Sequence, residues 1–60
     1  MLTIEIKYKE KTEYYRLYSD AKRQMDLKRE LLSRYPDSTE LTITDRGSVL
    51  EILRLGDLFN

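Results

Sequence analysis

Two stretches in which apolar and polar residues alternate flank one stretch of helical spacing, all within sixty residues that include neither histidine nor cysteine. Pattern and omission together constrain this chain more than any other feature. The pattern specifies a small sheet carrying one helix. The omission removes disulfides, thiolate chemistry, the usual zinc ligand sets and the usual neutral-pH general base. A scaffold of this kind is expected to bind rather than to catalyse.

Leu2, Ile4, Ile6 and Tyr8 alternate with Thr3, Glu5, Lys7 and Lys9, which puts one face of a first strand into a core. Lys9-Glu10-Lys11-Thr12 interrupts the alternation, and a tyrosine-rich β-prone run from Glu13 to Tyr18 follows. The two read as a hairpin, although the turn lacks an Asn-Gly or Asp-Gly pair. Ser19 or Asp20 caps a helix running to about Tyr35, where Pro36 stops it. Helical spacing gathers Ala21, Met25, Leu31, Leu32 and Tyr35 on one stripe, with the stem of Lys28 along it, and turns Lys22, Arg23, Arg29, Glu30 and Arg34 outward.

Glu40 to Asp45 alternates again, with Leu41 and Ile43 on one face and Thr42 and Thr44 on the other. Asp45-Arg46-Gly47-Ser48 supplies a glycine turn, and Val49 to Leu55 reads as the returning strand. A competing reading makes residues 48–55 helical, because Ser48-Val49-Leu50-Glu51 matches a capping box and Gly56 could end a short helix. The expected fold is one small two-layer α+β domain over residues 1–60, in ββαββ order, with ββαβα as the alternative. The ββαββ order resembles small β-grasp domains, including the bacterial immunoglobulin-binding domains. That resemblance is one of element order alone; it implies that the first and last strands are central and parallel, and it carries over no binding residue.

A chain this short buries only ~60% of the surface its unfolded form exposes. Without disulfides or a metal, association with another chain is a remaining way to enlarge the core, so a homodimer is expected. The net charge is zero, but residues 1–35 hold nine Lys/Arg against six Asp/Glu and residues 36–60 hold two against five. Basic and acidic halves could meet across a subunit contact. The chain starts directly on a strand pattern, with no signal-peptide layout and no apolar run near the ~20 residues of a membrane span, so a cytoplasmic setting is expected.

No serine or threonine has a histidine to activate it, the carboxylates are dispersed, and no calcium-type or phosphate-binding loop is present. No catalytic residue, cofactor or metal ligand is therefore expected. If Leu50 and Ile52 face the helix with Leu2, Ile4, Ile6, Tyr8, Tyr15, Leu17, Leu41 and Ile43, alternation places Tyr14, Arg16, Tyr18, Val49, Leu53 and Leu55 on the uncovered sheet face. With Phe59 at its margin, that face is the expected protein interface, unless Leu58-Phe59 folds back to cover it. Leu53→Lys is then expected to break binding and spare the fold.

Two further readings stand beside it. The outward helix residues Lys22, Arg23, Arg29 and Arg34 could contact nucleic-acid phosphates while the strand tyrosines stack on bases, although Asp20, Asp26 and Glu30 interleave with them. The chain could also be a structural subunit of a larger assembly. Size and the methionine start suggest a complete small gene product of the kind phages and mobile elements carry, a viral inhibitor acting in the host cytoplasm by blocking a host or defence protein.

Overall fold

The computed structural model describes residues 2–60. These form strands β1 (Leu2–Tyr8) and β2 (Lys11–Arg16), helix α1 (Ala21–Arg34), strands β3 (Glu40–Asp45) and β4 (Ser48–Arg54), and a 3-10 turn over Leu55–Asp57. The strands make one antiparallel sheet in the order β2-β1-β3-β4. The result is a small α+β unit with its helix on one face of the sheet, 29 × 25 × 16 Å.

The strand order differs from the β-grasp expectation. β1 and β3 are the central pair and run antiparallel, while β4 lies at the edge. β3 alternates without interruption and can hydrogen-bond on both sides. β4 is bulged, and bulged strands concentrate at sheet edges. Because β2 and β3 both oppose β1, they run parallel to one another with β1 between them, and α1 is the crossover that joins them.

Both hairpins close through two residues of positive φ, the pattern of a type I′ turn. In β3–β4 these are Arg46 and Gly47, at φ 52° and 83°. In β1–β2 they are Lys9 and Glu10, at 50° and 66°, so Lys11 and Thr12, expected in the turn, belong to β2 instead. The twist of the flanking strands demands this turn even though neither residue favours it.

The helix begins and ends as the sequence predicts. The Asp20 side chain accepts from the amides of Lys22 and Arg23, and Tyr35 before Pro36 is extended. Its inward face is different. Leu27 and Leu31 are buried, with Gln24, Lys28 and Tyr35 half-buried beside them, whereas Ala21, Met25 and Leu32 are exposed. A stripe starting at Gln24 rather than Ala21 is rotated by most of one residue step, and the two leucines on it contribute about 2 kcal/mol each on burial.

Residues 48–54 are a strand, which excludes the helical alternative; Val49 keeps the expected outward face, but past it the phase is the reverse of the one expected. Asp45 pairs with Ser48 and Thr44 with Val49, then the register shifts by one, pairing Ile43 with Glu51 and Leu41 with Leu53. Leu50 is the extra residue of a β-bulge. Continued without it, the two-residue hairpin would set Leu50 opposite Ile43 and Ile52 opposite Leu41, the inward positions expected from alternation. One inserted residue flips every side chain after it. Leu53 therefore packs on the helix side, Leu55 is fully buried, and Leu50 and Ile52 are exposed.

The core comprises Ile4, Ile6, Leu27, Leu31, Leu41, Leu55 and Leu58, ringed by half-buried Tyr8, Tyr15, Leu17, Tyr35, Ile43, Leu53 and Phe59. The chain after β4 does fold back, but onto the helix side. Leu55 and Gly56 donate their amides to the carbonyls of Thr39 and Asp37, at 2.8 Å each. A Cβ on Gly56 would sit 3.3 Å from that Asp37 oxygen, so glycine permits the approach. Asn60 closes the segment by accepting from the Lys28 ammonium at 3.0 Å.

Candidate functional site

The expected interface residues separate into four places. Tyr14 stands on the uncovered face at the β2 edge, 63% exposed. Val49 stands on the same face at the opposite edge. Arg16 and Tyr18 meet near the start of α1, and Leu53, Leu55 and Phe59 belong to the helix side. Leu55 is core because the bulge turns it inward, and Phe59 packs against the same cluster, so neither Leu55 nor Leu53 contributes to the uncovered face.

That face is not the continuous apolar surface expected. Its middle is a hollow floored by Thr3, Glu5 and Lys7 from β1 and by Thr42 and Thr44 from β3. Lys7 and Glu5, neighbours on this face of β1, pair at 3.6 Å. Because the two polar-faced strands are central, they hold Tyr14 apart from Val49 and Ile52.

Apolar exposure is instead concentrated on one edge. Val49, Leu50 and Ile52 are 61%, 57% and 58% exposed, three large aliphatic side chains within four residues of β4. The outer side of that strand has no sheet neighbour among the described residues. β2, the other edge, is guarded by Lys11, Glu13 and Arg16, the charged side chains that natural sheets place on exposed edges. β4 carries only Glu51 and, at its end, Arg54. Alternation alone assigns Leu50 and Ile52 to the core, and the bulge that exposes them has no signal in the sequence.

A second constellation lies where β2 runs into α1. The guanidinium Cζ atoms of Arg16 and Arg23 stand 5.7 and 5.5 Å from the centroid of the Tyr18 ring. Gln24 donates to the Tyr18 carbonyl at 2.7 Å and so ties this connection to the first turns of the helix. A cavity of about 440 Å³ opens beside it. The other two arginines expected on the basic face are engaged: Arg29 with Asp26 at 3.9 Å, and Arg34 with Glu30 at 3.6 Å and the Tyr15 hydroxyl at 3.3 Å.

A third cluster is structural. The Tyr15 and Tyr35 hydroxyls are 2.9 Å apart, and Tyr8 meets Tyr35 edge to face at 5.5 Å. The hydrogen bond to Tyr15, with burial second, pushes the Tyr35 hydroxyl up to about 12. The chain matches no family model, no curated protein and no solved structure. Its chemistry therefore rests on its own geometry. Among the described residues no group of acidic side chains is arranged to hold a metal ion, and no helix is long and apolar enough to cross a membrane.

Proposed function

We propose that this chain is a protein-binding module that works by occupying a partner's surface, and that its contact is the outer edge of β4. The observation that carries this is the exposure of Val49, Leu50 and Ile52 on an edge strand whose outer side has no sheet neighbour among the described residues. An extended segment laid against such an edge gains main-chain hydrogen bonds, while its alternate side chains cover the aliphatic ones.

Between a second copy and a different protein, the charge on β4 favours the latter. The two-fold antiparallel pairing that sets Leu50 against Ile52 of another copy also sets Glu51 against Glu51, and like charges directly opposite are destabilising. A foreign strand with a basic residue at that point has no such conflict. Occupying a partner in this way blocks whatever else that surface meets, which is the inhibitor mode considered for a chain of this size. The nucleic-acid reading ranks lower, because Arg29 and Arg34 are already paired with carboxylates.

The test is affinity capture from nuclease-treated lysate together with light scattering. Ile52→Lys is expected to keep a native circular dichroism spectrum and to lose the captured protein, whereas Leu53→Lys, at a position packed on the core, is expected to lose its cooperative melt. A discrete protein captured equally by the Ile52→Lys variant would overturn the edge assignment. A concentration-dependent dimer abolished by Ile52→Lys would replace the foreign partner with a second copy.

A further inference from the structure

The pairing of Arg16 and Arg23 on one tyrosine ring asks for an explanation that the β4 edge does not supply. Neither guanidinium has a carboxylate within ion-pairing distance among the described residues, although the chain has as many acidic as basic side chains. Two like charges gathered on one ring repel each other, and the ring face only partly offsets this. An anion held near both would relieve that repulsion, and arginine's planar fork suits a carboxylate bidentately.

The groove beside them says which anion. Its floor is Tyr15 and Leu27, both part of or packed against the core, and its volume of about 440 Å³ falls in the range of small-ligand sites. Its helix wall carries Asp26 and Glu30. A phosphate chain or polynucleotide laid along this groove would bring repeated negative charge against those carboxylates. A single carboxylate beside an aliphatic group meets the arginines at one end and the apolar floor at the other, and a basic neighbour meets the acidic wall. We propose that the groove between β2 and α1 is a second binding site, for an acidic segment of a partner protein in which a Glu or Asp adjoins an aliphatic residue. Arg16 and Arg23 clamp the carboxylate, and Tyr18 holds the two guanidiniums in position. This site is independent of the β4 edge and stands or falls without it.

The test starts from a random heptapeptide library panned in parallel against the wild type and the Arg16→Gln, Arg23→Gln double variant. Both arginines are exposed, so the variant is expected to fold. Wild type is expected to enrich peptides with Glu or Asp next to Leu, Ile or Val, and the leading peptide to bind the double variant at least tenfold more weakly. Titrated into labelled wild-type protein, that peptide is expected to shift the side-chain Nε–Hε signals of Arg16 and Arg23, a readout that does not depend on the variant. Enrichment without acidic residues, equal binding by the variant, or unmoved arginine signals would each overturn the proposal. So would an oligothymidylate or inorganic phosphate that moved the same signals at lower concentration than the peptide, which would assign the site to phosphate.

Discussion

Tyr35 shows how one residue serves two ends of this small protein. It stops the helix as the residue before Pro36, and its ring, edge to face with Tyr8 and Tyr15, closes the core at that end of the sheet. Its hydroxyl, raised to about 12 by the bond to Tyr15, is an acid whose neutral form the fold favours. Stability from that bond is fully present below the unfolded value of about 10 and is lost as pH rises through 12. Tyr35→Phe is expected to lower the unfolding free energy at pH 8, measured by urea titration, by less than about 1 kcal/mol, because the pair is only part-buried. The difference from wild type should shrink between pH 10 and 12. A spectrophotometric titration should show the variant lacking the last tyrosine to ionise. An unchanged titration would mean that Tyr35 is not the raised group.

Among the elements, the two hairpins carry opposite lessons. The β3–β4 turn uses Gly47 where positive φ is easiest, whereas the β1–β2 turn forces Lys9 and Glu10 into the same region. Left-handed conformations cost non-glycine residues about 1–2 kcal/mol each, less where the side chain is Asn or Asp. Lys9→Asn with Glu10→Gly is therefore expected to raise stability by about 1–2 kcal/mol with no change in the sheet, read as a higher urea midpoint at constant slope. A loss of stability would mean that the turn is not of this type. The β1–β2 hairpin was legible in the alternation of Leu2, Ile4, Ile6 and Tyr8. The phase of β4 was not, because a bulge at Leu50 has no marker in residue type: Leu50 and Ile52 are as apolar as Leu53 and Leu55, and either pair could have turned inward.

At the scale of the whole molecule, one helix does not cover the sheet. Only Leu27 and Leu31 of α1 are buried, and the rest of the helix-side cover comes from the segment after β4, through Leu55, Leu58 and the half-buried Phe59. Removing residues 57–60 takes away Leu58, Phe59 and the Lys28–Asn60 hydrogen bond together. A leucine buried as Leu58 is costs about 2–5 kcal/mol when cut to alanine, a large share of what a chain this short has to spare. The truncated protein is expected to lose its cooperative thermal transition, measured by circular dichroism. A retained transition near the wild-type midpoint would place the core elsewhere than in this segment.

Local chemistry was enough to set the element order, the helix cap at Asp20 and its stop at Pro36, the turn at Gly47 and the burial of Ile4, Ile6, Leu31 and Leu41. These follow from period, capping and steric preference, which act over a few residues. The pairing of β1 with β3, the exposure of Leu50 and Ile52 beside Val49 on an edge, and the meeting of Arg16 with Arg23 on Tyr18 were decided only in three dimensions. A strand's neighbour and its register depend on competition among apolar faces from distant parts of the chain. When the competitors are nearly equal in hydrophobicity, as Leu50 and Ile52 are with Leu53 and Leu55, packing of the whole core decides which of them turn inward.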